Sequence, residues 1–449
     1  ESLPVTKSTG DEILSGVVNG TTAVTVTANK RAHESQFQQI VALMSEAEEN
    51  RAPIVRLADR YAIPFTVLSL VIGGVAWFVS GSATRFAEVM VLATPCPLLI
   101  AAPVAFIGGQ AQASRNGVIV KSGAVLEQLS RIQSALFDKT GTLTRGTPEV
   151  TRIVPAHGWG EDELLRLTAS AEQYSTHALA RGIIQAAQDR SLHLSDTDTA
   201  DEVATNGVWA VIDGHDLRVG KRSFIEESVG DIDMPALEPG EGAAFVAIDG
   251  AYAGAVMLAD QIRPETPRVI SWLRDNGVKR ISILTGDNSH TAQHIADLAG
   301  IDDVQADLLP PDKVRLAAET TPGPVLMVGD GINDAPVLAR ADVGLAIGAK
   351  SATAASEAAD GVILRNSLRS VPEVVAISRH TVSVALTAIW LGIILSVGLM
   401  LVAATGAIPA VFGALTQEVV DLVAILYALL ALRSPRTLKK LREEEHTHR

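Results

Sequence analysis

Several short stretches carry the residue types that phosphoryl chemistry needs. In "FDKTGTLT" (137–144) the apolar run "QSALF" stops on Asp138, and Lys, Thr, Gly and Thr follow. "ILTGDN" (283–288) offers Thr285 and Asp287, "PPDKV" (310–314) offers Lys313, and "VGDGINDAP" (328–336) offers Asp330 and Asp334. Each aspartate alone reads as a polar turn after a buried strand. Together they supply a carboxylate nucleophile, a hydroxyl, a lysine and paired aspartates, the set required for Mg²⁺-assisted phosphoryl transfer. The carboxylate attacks in line, and the lysine and Mg²⁺ neutralise the transferred group. Magnesium favours carboxylates, phosphate oxygens and water.

A second group lies in apolar surroundings. "ATPCPLLIAAP" (93–103) sets Cys96, the single cysteine, between two prolines. Prolines here unwind a helix and free backbone carbonyls, which a bilayer tolerates only around a protein-lined site. "TQEVVD" (416–421) adds Gln417, Glu418 and Asp421, whose spacings of three and four predict one helical face. Carboxylates inside a membrane are by default functional. One sulfur with oxygen ligands, Thr94 among them, suits a borderline divalent ion such as Ni²⁺, Co²⁺, Fe²⁺ or Zn²⁺.

These residues need elements to hold them. Stretches 61–80 and 89–109 carry no charge, and 381–417 is uncharged throughout, breaking at "TGAIP" (405–409). About 20 apolar residues cross a bilayer core as a helix. Four spans are therefore expected, at 61–80, 89–109, 381–404 and 409–432. Arg51, Arg56, Arg60, Arg115, Lys121, Arg365, Arg369, Arg379, Arg433, Arg436, Lys439 and Lys440 flank them on one side, whereas the opposite turns hold only Arg85. By the positive-inside rule both termini and segment 115–376 are cytoplasmic. Within that segment "SALF", "RISILT", "VLMVG" and "VGLAIG" alternate with helical stretches such as 289–299 and 311–320. That is the pattern of a parallel, doubly wound sheet with ligands at the strands' carboxyl ends. Residues 148–255 interrupt it as an insert. Residues 1–30 read as strands and turns, and 33–60 as an amphipathic helix entering the membrane. The net charge of −14 argues against a nucleic-acid partner. One cysteine excludes an internal disulfide, and "ESLPV" at residue 1 is not a signal peptide.

"DKTGTLT", "TGDN" and "GDGINDAPVLARADVGLAIG" resemble the phosphorylation-domain motifs of P-type ATPases, on a haloacid-dehalogenase-like fold, and the likeness covers almost the whole chain. It implies an aspartyl-phosphate on Asp138, a phosphoryl group held by Thr285 and Lys313 with Asp287 nearby, and Mg²⁺ on Asp138, the Thr140 carbonyl and Asp330, with Asp334 close. Soluble phosphatases of this superfamily commonly have a second aspartate where Thr140 stands, so the phosphoenzyme is expected to persist. In the family an actuator domain hydrolyses it through Thr-Gly-Glu-Ser. Glu1 aligns with that glutamate and the Thr-Gly is absent, so the sequence looks like an N-terminally truncated pump.

The insert is similar to the nucleotide-binding domain of the heavy-metal subclass (type IB). "STHALA" stands where that subclass has Ser-Glu-His-Pro-Leu-Ala, and "ATNGVWAV" keeps one glycine of a usual pair. The implied ATP contacts are His177, Gly207, Arg263, Lys139 and Gly286. "DQIRPE" (260–265) resembles the hinge returning to the phosphorylation domain. The implied domains are a partial β-rich actuator (1–50), two spans (51–114), a phosphorylation domain (115–147 and 256–376) and the α+β insert (148–255). Two further spans (377–433) and a charged tail (434–449) complete the chain. Thr94 stands where copper pumps have a second cysteine, and a Thr-Pro-Cys subgroup exporting a divalent metal fits better. The expectation is an integral membrane pump with cytoplasmic catalytic domains. A membrane-anchored phosphatase, an inactive fragment and a potassium-pump relative are the alternatives.

Overall fold

The computed structural model describes residues 25–27, 57–94, 96–173, 175, 178–197, 199–203, 206–232, 235–238, 240–330, 334–348, 357–435 and 437–438. The expectations for Glu1, for His177 and for nearly all of the actuator portion lie outside these residues.

A seven-stranded sheet carries the motif strands. Its spatial order is Val118–Val120, Gly361–Ile363, Val343–Ile347, Val325–Gly329, Ser134–Asp138, Arg280–Leu284, Asp303–Gln305. The pairs 303–305 with 282–284, 326–329 with 343–346, and 345–347 with 361–363 are parallel, and the edge strand Val118–Val120 is antiparallel to its neighbour. The four strands expected from sequence are all present. Each is short and apolar because a strand covered on both faces has no solvent side to keep polar. Ser134–Asp138 and Val325–Gly329 are buried at every residue. From Ser134–Asp138 the order runs one way to Arg280–Leu284 and the other way to Val325–Gly329. That reversal opens a crevice at the carboxyl ends, where such sheets bind ligands. The helix Ser289–Ala299 starts on an Asn288 cap whose side chain accepts from the Thr291 amide at 2.9 Å, and ends at Gly300 in the left-handed region.

The insert is a six-stranded antiparallel sheet, ordered Thr144–Pro155, Ala251–Ile262, Glu241–Ile248, His215–Gly220, Gly207–Ile212, Thr199–Val203. Helices Glu161–Glu172 and Ala178–Asp189 cover it through Leu164, Leu165, Leu167 and Ile183, all fully buried. Its entry and exit strands pair with each other from Thr144–Ile262 onward. The insert's sheet therefore begins earlier and ends later than 148–255. Gly146 and Pro148 obscured the entry strand in the sequence, and the pairing accommodates them by a register shift between Thr144 and Pro148.

Among the described residues, three helices are long and apolar enough to cross a membrane: Tyr61–Ser80, Ser370–Ala404 and Ala410–Leu432. The third expected span is longer than 381–404, because Arg379 and His380 do not interrupt its backbone; Arg379 Nε reaches the Ser130 carbonyl at 3.3 Å. The second expected span, 89–109, is instead two helices, Ala83–Leu92 and Cys96–Arg115. The break falls before the cysteine. Pro97 then sits in a first helical turn, where a missing N–H costs nothing. The helices meet through small side chains, with Ala101, Ala105, Ala385, Ala388, Ala424 and Ala428 all buried. Phe78, Val79, Ile63 and Val411 are largely exposed, as a lipid-facing surface requires.

Candidate functional site

Asp138 ends its strand nine-tenths buried, and the chain then turns through Lys139–Leu143. Gly141 holds φ of 72°, a conformation that would strain any residue with a side chain. The loop is fixed from beneath by the insert's exit strand and the residues after it. Arg263 is 4% exposed and donates to the carbonyls of Thr142 (2.8 Å), Thr144 (3.0 Å) and Gly141 (2.7 Å). Thr144 Oγ1 donates to Asp260 (2.5 Å), whose other oxygen accepts the Gly146 amide at 2.8 Å. Arg263 was expected at the nucleotide; it is instead enclosed against the loop's backbone, where its planar fork matches converging carbonyls. Thr140 is exposed and Thr285 is buried. Lys139 forms an ion pair with Asp287, whose amide donates to Thr285 Oγ1 at 3.1 Å. Lys139, another expected nucleotide contact, is thus engaged by an acid of the "TGDN" motif. Gly286 lies in that turn, and a Cβ there would approach the Leu308 carbonyl to 3.2 Å. Gly207 begins the strand Gly207–Ile212, packed against the Val219 carbonyl.

Around the strand Val325–Gly329, Lys313 Nζ donates to Asp334 Oδ1 at 3.1 Å, with both side chains nearly enclosed. Asp334 precedes the helix Ala335–Arg340. Its carboxylate lies over Gly329, where a Cβ would come within 2.8 Å of Oδ2. Gly329 was not among the expected site residues, although its place before Asp330 in "VGDG" is a signal for close approach. The acidic ligand atoms of Asp138, Asp330 and Asp334 lie within 4.8 Å of one another. Three hard oxygen donors with an ammonium at their edge fit Mg²⁺ and a phosphoryl group.

The insert holds a residue the sequence reading missed. Glu172 is 5% exposed, and burial pushes its carboxyl up to about 7 against the opposing Ser175 hydrogen bond. Among the described residues its Oε2 has no hydrogen-bond partner. It stands three residues before the "STHALA" segment, and a glutamate inside the apolar pattern of that helix was the available signal.

In the membrane helices, Thr94 lies in the break with its hydroxyl buried and, among the described residues, without a hydrogen-bond partner. Cys96 opens the helix that follows. Gln417 and Asp421 share the inward face, joined at 3.0 Å from Nε2 to Oδ1, and Ser396 of the neighbouring helix donates to Gln417 Oε1 at 3.3 Å. Glu418 does not join them. The buried stripe runs through Gly413, Gln417, Val420, Asp421, Ala424 and Ala428, and Glu418 lies outside it, exposed. Spacing alone gave the right period and the wrong centre of the face.

A doubly wound domain with carboxylates at its crevice, joined to membrane-length helices, defines a membrane-associated member of the haloacid dehalogenase-like class. The family model for haloacid dehalogenase-like hydrolases matches residues 132–342. The chain is 34% identical over 400 residues to the cadmium, zinc and cobalt-transporting ATPase of Bacillus subtilis (strain 168), covering 85% of this chain and 56% of the relative. It is 35% identical over 406 residues to the copper-exporting P-type ATPase of Staphylococcus aureus (strain MRSA252), covering 85% and 49%. The crystal structure of a zinc-transporting PIB-type ATPase in its E2.Pi state superposes with a TM-score of 0.77 at 32% identity, covering 90% of this chain and 68% of that one. The chain belongs to the heavy-metal P-type ATPases. It spans about half the length of the curated relatives it matches.

Proposed function

We propose that this chain supplies the phosphorylation, nucleotide-binding and ion-binding parts of an ATP-driven pump that exports a divalent transition metal. The observation that carries the reading is the convergence of Asp138, Asp330 and Asp334 beside Lys313. Asp138 attacks the γ-phosphorus of ATP, the bond to the leaving ADP oxygen breaks, and the phosphoryl group remains on the carboxylate. Thr285 and Lys313 orient its oxygens. Asp138, the Thr140 carbonyl, Asp330 and Asp334 would hold Mg²⁺, which supplies charge neutralisation when bound. Arg263 and Asp260 keep the loop in position. In the insert, Glu172 gives a base a buried acceptor three residues before the "STHALA" segment.

The cargo site is built from Cys96, Thr94, Gln417 and Asp421, with Ser396 orienting the amide. A thiolate and one carboxylate balance a divalent cation, and an oxygen-rich remainder favours the nickel, cobalt, iron and zinc class over Cu(I). The named relatives carry cadmium, zinc and cobalt in one case and copper in another, so cargo varies among similar chains. The lipid bilayer is the implied partner, with the catalytic domains on the cytoplasmic side of the cell membrane.

Incubation of the complete protein with Mg²⁺-ATP tests the chemistry. An acid-stable, hydroxylamine-labile label is expected, and Asp138→Asn abolishes it. A label retained in Asp138→Asn refutes the assignment. Turnover measured across Ni, Co, Fe, Zn, Cd and Cu identifies the cargo, and strict dependence on Cu(I) would overturn the divalent reading.

A further inference from the structure

The far end of the membrane helices holds an ion pair that the pumping scheme above does not use. Glu88 lies in the helix Ala83–Leu92 with its side chain 9% exposed, and Arg85 NH1 donates to its Oε2 at 2.6 Å. The helix Ser370–Ala404 meets the catalytic domain near Arg379, whereas its last residue leads into the turn that Arg85 touches. That turn contains Gly406, at φ of 87°, and a Cβ on it would fall 2.0 Å from the Arg85 guanidinium carbon. Arg85 thus lies flat on the turn between the last two helices while neutralising an acid of the broken one.

Burying an ion pair this way is costly, and hydrophobic residues would hold two helices together as well. Glu88 stands just before the expected span 89–109, at the mouth that an ion leaving the break passes. The pair is also asymmetric. The carboxylate is enclosed and the arginine is 32% exposed, so the acid is fixed and the base has room to leave. Glu88 precedes Thr94 by six residues on the same strand of chain. At about 1.5 Å per residue it sits on the order of 9 Å beyond the break, toward the far surface. Its neighbours Val89 and Leu92 are buried, and Leu92 packs against Gly413 of the helix bearing Gln417 and Asp421.

We propose that Glu88 is a second, outer cation site, which takes the divalent ion after it leaves the site at the break and is filled by the Arg85 guanidinium when no ion is there. The inference rests on the pump reading above. One carboxylate with water completing the shell binds a divalent ion weakly, which suits an exit step. Arg85 competes with the ion for the same oxygens. Its return after departure opposes re-entry.

The test uses the complete protein in sealed vesicles, phosphorylated by Mg²⁺-ATP, with Zn²⁺ or Co²⁺ added to the side away from the catalytic domains. Phosphoenzyme decay slows as that metal rises, and the half-effect concentration is read. Arg85→Met lowers it by about tenfold or more and Glu88→Gln raises it by about as much, because one change removes the competing charge and the other the ligand. Gly406→Ala, which displaces the guanidinium without touching Glu88, shifts it the same way as Arg85→Met. Opposite shifts for Arg85 and Glu88 support the site. Shifts in the same direction, as a purely structural clasp would give, or no shift at all, overturn it. If no metal on either side alters turnover or decay of the unsubstituted protein, it is the pump reading that fails.

Discussion

The buried Glu172 makes the insert's stability depend on pH in a direction opposite to that of an ordinary salt-bridged acid. Its carboxyl is raised from 4.5 to about 7, first by burial. A raised pKa means the folded state holds the proton more tightly than the unfolded chain. Stability is therefore complete below about pH 4.5, falls as the pH rises to about 7, and is level above that. At 1.36 kcal/mol per unit the shift amounts to about 3 kcal/mol, a large part of what a domain has. Glu172→Gln keeps the shape and removes the charge. Hydrogen exchange of amides in Gly207–Ile212 and Ala251–Ile262, corrected for the intrinsic pH dependence, reads the opening free energy. The unsubstituted insert should lose about 3 kcal/mol between pH 4.5 and 8, and the glutamine variant should lose little and be the more stable at pH 8. The orphaned Oε2 is also the acceptor that a base amino group would satisfy. The stabilising substitution should therefore weaken ATP binding by about tenfold, the cost of one buried hydrogen bond to a charged group. Equal pH slopes in the two proteins would refute the electrostatic reasoning, and unaltered ATP affinity would refute the role at the base.

Arg263→Lys loses the fork that spans three carbonyls, and phosphoenzyme formation should slow by about ten- to a hundredfold with little change in KM for ATP. A raised KM at unaltered rate would return Arg263 to the nucleotide. Gly329→Ala places a methyl where Asp334 lies, and the Mg²⁺ concentration for half-maximal phosphorylation should rise by about tenfold; titration with Mg²⁺ checks it, and an unchanged midpoint contradicts the packing argument. Asp421→Asn should remove metal-stimulated turnover while Glu418→Gln, on the exposed face, retains most of it. The reverse pattern would show that the helix presents its other side to the ion.

What could be read from the residues alone divides by physical cause. The motif strands were legible because a strand covered on both faces must be a short apolar run, and a carboxylate after such a run marks its carboxyl end. Asp138 and the pair Asp330 and Asp334, far apart in the chain, could be joined on that ground, and the sheet order puts the strands Ser134–Asp138 and Val325–Gly329 side by side. Features set by phase rather than period were not legible. Gln417 and Glu418 are adjacent, and only packing against Ser396 and Leu92 decides which of them turns inward. Arg263 is a basic residue near a hinge in the sequence, and nothing local says that carbonyls from 141–144 will surround it. The entry strand of the insert was hidden by Gly146 and Pro148, which disfavour a strand by propensity and are carried by a register shift. The prolines predicted an unwound helix, but not that the chain would restart at Cys96 and leave the Thr94 hydroxyl buried in the break. Glu88 and Glu172 were passed over for one reason. A single acid in an apolar helix has no pattern to announce it, and its meaning comes from burial. In both places a carboxyl is largely enclosed by the fold, and such a group persists when a ligand or a moving cation has use for it.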